Sequence, residues 1–165
     1  MIKILKQIEL ELPDLLKQPE IWQTLDINYE KPHVERVWTQ WNQYRINLHR
    51  IHPCEFHECF FHPHPWASVV RILSGRYEML VGQGSGEVSP PTTMTLILEK
   101  DSIYEMTNKD GWHQVRPLDH RVMSLMITDA PWGRKMPKSD KIKLSSLTDE
   151  VRDDIMNYFI WKYRK

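Results

Sequence analysis

The chain lacks an excess of either charge sign. Its 22 lysines and arginines stand against 22 aspartates and glutamates in 165 residues, and neither sign collects into a long block. Without such a footprint, nucleic acid and anionic membrane surfaces are disfavoured as partners. The chain also lacks an apolar run of about 18 residues, and Lys3, Lys6, Glu9, Glu11 and Asp14 interrupt its start too early for the apolar core of a secretion signal. The sequence therefore reads as soluble and cytoplasmic, with no membrane partner. Cysteine is scarce: Cys54 and Cys59 fit no zinc-knuckle spacing and read as buried or half-buried thiols. No internal repeat is visible, and the one biased segment, 82–91, reads as a hairpin loop or lip. At this length the expectation is a single domain, residues 1–165, able to bury a core without staples.

What is present divides into three stretches. Residues 1–43 read as a helical extension with interruptions. Leu10, Leu12, Leu15 and Leu16 form a stripe, a second piece covers Pro19 to Leu25, and a third from Pro32 to Trp41 sets Val34, Val37, Trp38 and Trp41 at helical spacing. These helices are expected to pack outside a sheet. From Tyr44 the pattern alternates, with Ile46 and Leu48 on one face and Arg45, Asn47 and His49 on the other. Eight strands are expected at 44–52, 58–63, 67–74, 76–82, 93–99, 102–106, 112–117 and 121–128, so that 44–129 forms an antiparallel barrel or jelly roll. The remainder, 130–165, leaves the sheet through Lys135-Met136-Pro137-Lys138 and ends in a helix capped by Ser146 or Thr148.

The stretch that carries chemistry is His62-Pro63-His64-Pro65-Trp66. Side chains on a strand alternate faces, so two histidines one residue apart point to the same side. A third, His113, opens a later strand that a folded-back sheet brings alongside the first. The three imidazoles predict a mononuclear metal site. His57 and His49 stand in reserve as ligands, while His33, His52 and His120 read as surface or packing residues.

The order His-x-His, a strand ending Leu73-Ser74-Gly75, then Trp112-His113 opening a late strand, resembles the cupin superfamily over residues 44–129. The likeness extends to cupin-like families with His-x-His-Pro-Trp in the first motif and a late Pro-Trp-Gly, here His64-Pro65-Trp66 and Pro131-Trp132-Gly133. The resemblance implies a mainly β, cupin-type jelly roll with helices outside it, and His62, His64 and His113 as ligands in its mouth. Two positions depart from the pattern. The place of the cupin glutamate falls at Ser68 or Val69, and the proline and glycine expected before the late histidine correspond to Asn108 and Asp110, with glycine one step late at Gly111. Three neutral imidazoles leave the ion's charge uncompensated and so favour a small anionic substrate or hydroxide in the open positions. Three-histidine cupins include iron(II) dioxygenases, so the resemblance implies Fe(II), with Zn, Ni or Mn as alternatives, and a homodimer.

Arg71 interrupts the apolar run 69–73, where a charge needs a partner, so it either snorkels to solvent or pairs with a carboxylate of the protein or of a ligand, and it is a candidate site residue on the last reading. Tyr77-Glu78-Met79 and Tyr104-Glu105-Met106 repeat one triplet, and Tyr77 and Tyr104 are candidates to orient substrate or donate a proton. Arg45, Arg116, Glu78 and Glu105 are further candidates, and Trp66 and Trp112 either wall the pocket or fill the barrel. The functional expectation is an iron dioxygenase. The alternatives are a redox-neutral metal-dependent isomerase or lyase, and a non-catalytic small-molecule-binding cupin.

Overall fold

The computed structural model describes residues 1–133 and 145–164; the expected exit through Lys135 to Lys138 lies outside them. Ten strands form two antiparallel sheets. In chain order they are β1 (Gln23–Ile27), β2 (Val34–Trp41), β3 (Tyr44–Ile51), β4 (His62–Pro63), β5 (Trp66–Ser74), β6 (Arg76–Gln83), β7 (Thr92–Glu99), β8 (Ile103–Met106), β9 (Gly111–Pro117) and β10 (Val122–Pro131). One sheet has the order β1-β2-β3-β10-β5-β8 and the other β4-β9-β6-β7. Helices α1 (Ile2–Leu15) and α2 (Asp149–Tyr163) belong to a layer outside the larger sheet. Among the described residues no helix is long and apolar enough to cross a membrane.

The N-terminal stretch departs from its helical expectation after residue 15. Residues 23–27 and 34–41 are strands that extend the larger sheet, with β2 paired to β1 and β3 along its length. Val34, Val37, Trp38, Thr39 and Trp41 are β-branched or aromatic residues that suit a pleated surface. The alternation is hard to read because both faces of β2 are covered. Glu35, Val37 and Thr39 are buried beneath the helix layer, while Val34 and Arg36 line a cavity. Residues 58–61 also lie outside the strands, and β4 keeps only His62 and Pro63 of its expected length.

Each sheet face has its own core. Leu5, Ile8 and Leu12 of α1 and Ile155, Met156 and Phe159 of α2 pack on Val37, Ile46, Leu48, Val69, Leu125 and Ile127. Full burial of each such side chain contributes about 1.5–3 kcal/mol. Thr148 caps α2, its hydroxyl accepting from the Val151 amide at 3.3 Å. The second core, between the sheets, gathers Ile51, Val70, Ile72, Tyr77, Met79, Val122 and Met126.

A buried polar knot fastens β2 to β3 beneath α2. Glu35 accepts from Arg50 Nε and bonds His52 Nε2 at 2.8 Å, and Arg50 lies 3.7 Å from Asp154 of α2. Burial pulls the Glu35 pKa up, but the hydrogen bonds from Arg50 and His52 outweigh it, and the net shift is downward. A lowered folded pKa stabilises the fold above the unfolded value and loses that contribution as pH falls through the folded value. Glu35→Gln should therefore cost about 3 kcal/mol at pH 7, as expected when a buried ion pair loses one partner. In urea denaturation that difference should shrink progressively below about pH 4.5; a difference that is constant down to pH 3 would contradict the assignment.

Candidate metal centre

The site is built by the pairing of β4 with β9. Their register sets His62 opposite His113 and Pro63 opposite Trp112. His64 follows one residue beyond β4, with its amide donating to the Gly111 carbonyl at 3.3 Å. The ring centroids lie 4.7 Å apart for His62 and His113, 4.2 Å for His64 and His113, and 5.8 Å for His62 and His64. One ring nitrogen from each can be chosen so that all three lie within 4.8 Å of one another, the only such group of potential metal ligands among the described residues.

This donor set fits a divalent transition metal. Metal–imidazole bonds of about 2.0–2.1 Å put ligand nitrogens roughly 3.0–3.5 Å apart, within reach of small side-chain rotations from the present spacing. His62 Nδ1 donates to the Phe60 carbonyl at 3.0 Å, which leaves its Nε2 with a free lone pair. His64 Nδ1 lies 3.2 Å from the Ser68 hydroxyl. His113 Nδ1 is buried with no hydrogen-bond partner, an uncommon state that an ion or a water would relieve. Burial lowers the pKa of all three rings. His64 is pushed down to about 3 by burial and then by its neighbours His62 and Arg36, and His113 lies well below the ordinary value. The imidazoles are therefore neutral, as ligation requires.

The rings open onto a cavity of about 460 Å³ between the sheets. Arg36, Arg45 and His49 from the larger sheet line it, along with Tyr77, Tyr104 and Trp66. Tyr77 donates to the Tyr104 hydroxyl at 2.7 Å, joining the two sheets. Burial raises both phenol pKa values, that of Tyr104 to about 12, so both remain protonated at neutral pH. Arg36 Nε donates to His49 Nε2 at 2.9 Å, and the Arg45 guanidinium stacks 4.2 Å from the Trp38 ring centroid.

Several sequence candidates lie elsewhere. Arg71 is on the opposite face of β5 from Ser68 and Val70; its Nε sits 2.9 Å from Glu9 of α1, so it closes the helix layer and does not reach the cavity. Arg116 pairs with Glu78 at 3.2 Å, and Glu105 with the N-terminal amine at 2.6 Å. Trp112 faces away from the cavity and donates to the Gly84 carbonyl at 2.8 Å, whereas Trp66 does wall it. His57 is exposed on a short 3-10 turn, and His49 spends its Nε2 on Arg36. Cys54 and Cys59 are free thiols 2.7 Å apart. Arg36 was missed because residues 32–41 read as a helix; alternation about Arg36 and Trp38 was the available signal.

No protein-family model and no curated protein sequence matches the chain. Solved structures do. Hydroxypropylphosphonic acid epoxidase from S. wedmorenis superposes with a TM-score of 0.52 at 10% identity, over 67% of this chain and 56% of that one. Fe(II)-HppE with the alternative substrate (S)-1-HPP gives 0.54 at 9% identity, over 67% and 57%, and apo-HppE gives 0.51 at 8% identity, over 67% and 55%. The chain thus spans little more than half the length of these proteins. The fold is cupin-like.

Within this cupin-like frame one departure and one shared motif acquire a physical content. Of the two residues at the place of the expected glutamate, Ser68 and Val69, Ser68 sets its hydroxyl 3.2 Å from His64 Nδ1. The late Pro-Trp-Gly turn lies against the first motif: Pro131 pairs with Trp66, and the Trp132 amide donates to the Pro65 carbonyl at 2.7 Å. That contact pins the backbone immediately after His64. Arg71→Gln should lower stability by about 1 kcal/mol, since its ion pair is partly exposed, and leave metal content unchanged in elemental analysis. A loss of metal in that variant would contradict its placement in the helix layer.

Proposed function

We propose that the chain is a metal-dependent enzyme in which His62, His64 and His113 hold one divalent ion, iron(II), and in which dioxygen is added to a small anionic molecule. The observation that carries this reading is the convergence of three neutral imidazoles, two buried and one half-buried, on the wall of a substrate-sized cavity. The neighbouring solved structures include proteins described as Fe(II)-HppE, which supports iron as the ion. Incorporation of both oxygen atoms into product balances without a separate reductant.

Iron(II) held by these histidines would bring dioxygen and substrate together, the net electrons for reduction of dioxygen coming from the substrate. The residues of the chain do the rest. Burial keeps the three histidines unprotonated, and the Phe60 carbonyl and Ser68 hydroxyl fix the orientation of two of them. With the Tyr77 proton engaged by Tyr104, the Tyr104 hydroxyl keeps its own proton available for a group in the cavity. Trp66, Phe60, Val70 and Met126 cover the space around the rings and exclude water.

Protein purified without chelator should contain one iron per chain and consume oxygen with its substrate, whereas His62→Ala and His113→Ala should each lose the metal. Zinc or nickel without oxygen uptake would contradict the dioxygenase reading, and undiminished metal in either variant would contradict the ligand assignment. Ser68→Ala should weaken metal affinity about tenfold, the scale of losing a ligand's orienting partner, in a competition titration; unchanged affinity would remove Ser68 from that role.

A further inference from the structure

The larger sheet carries two arginines on its cavity face whose hydrogen-bond and stacking partners are neutral side chains. Arg36 on β2 stands opposite His49 on β3, and Arg45 lies farther along β3 on the same face. Among the described residues the partners of Arg36 and Arg45 are neutral: the His49 ring nitrogen for one and the Trp38 ring for the other. Glu30 is the one acid among the described lining residues. Like charges in one half-buried space repel; burial, and then Arg45, lowers the Arg36 pKa to about 10. Arginine retained without a carboxylate in a cavity costs stability unless an anion from outside completes it.

The rest of the lining limits what that anion is attached to. Ile27, Val34, Ile51, Val70, Val115 and Met126 give the same cavity apolar walls. Two buried polar atoms on the same lining, Trp66 Nε1 and Ser124 Oγ, have no hydrogen-bond partner and remain available to a ligand.

We propose that Arg36 and Arg45 form an oxyanion-binding end of the cavity, and that the substrate is a small organic acid whose carboxylate or phosphonate head sits between them with its apolar body directed toward His62, His64 and His113. The assignment of this ligand as substrate rests on the metal-dependent reading above, but the binding itself does not. Planar guanidinium groups donate two parallel bonds to a carboxylate or phosphonate, and a charge-assisted bond in a dry site is stronger than a neutral one.

The test is calorimetric titration of metal-free protein with hexanoate, hexylphosphonate and hexan-1-ol. Both acids should bind more tightly than the alcohol, and the tighter of the two identifies the headgroup. Arg36→Gln and Arg45→Gln should each weaken the acids at least about tenfold while leaving the alcohol unchanged, with Arg→Lys at either position intermediate. If Arg36→Gln fails to fold, Arg45→Gln carries the comparison. Undiminished acid binding in the glutamine variants, or an alcohol that binds as tightly as the acids, overturns the proposal. Because no metal is present, such a failure leaves the histidine assignment intact, and loss of metal from His62→Ala leaves this one intact.

Discussion

The site depends on one short strand pairing. β4 contributes two residues to the smaller sheet, and their register with β9 is what opposes His62 to His113. A slip of one residue would turn either histidine to the other face. Several contacts guard against it: the His64 amide on the Gly111 carbonyl, the Trp112 indole on the Gly84 carbonyl, and the Trp132 amide on the Pro65 carbonyl. The Phe60 amide bonds the Lys31 carbonyl at 2.8 Å, which ties the irregular segment before β4 to the loop ahead of β2. Two residues of strand are enough because their neighbours on both sides are held.

The larger sheet separates stability from chemistry by its two faces. Its outer face is covered by two helices, and there polar groups meet partners: Glu35 with Arg50, Arg71 with Glu9, and Trp41 with Glu11 at 2.9 Å. Its inner face has Arg36, Arg45 and Ser124 on the lining of a cavity, where the arginines meet a histidine and a tryptophan. Unsatisfied polar groups are rare in folded chains and concentrate where a ligand is handled. Neutral histidines beside two arginines with neutral partners set this cavity apart from the balanced net charge of the whole chain.

The sequence revealed most where a short period governs structure. His62, His64 and His113 were legible because a period of two fixes the relation within the first pair and strand order supplies the third. Strands β5 to β10 followed from alternation and turn residues. β1 and β2 did not, since a strand covered on both faces loses its alternation, and Val34, Val37, Trp38 and Trp41 happen to fit a helical period as well. The same ambiguity hid Arg36. Arg71 was misplaced for a related reason: both faces of β5 are buried, so an arginine within its apolar run does not declare which layer it serves, and Glu9 lies 62 positions earlier in the chain. The Pro-Trp-Gly turn had no local meaning at all, because its function is a hydrogen bond to the first motif.

The central claim is that three imidazoles share one ion. X-ray absorption at the iron edge of the iron(II)-loaded protein measures this directly. The account predicts three imidazole nitrogens at about 2.1 Å, with oxygen donors completing the shell. A shell with fewer than three imidazoles, or with sulfur from Cys54 or Cys59, would contradict it.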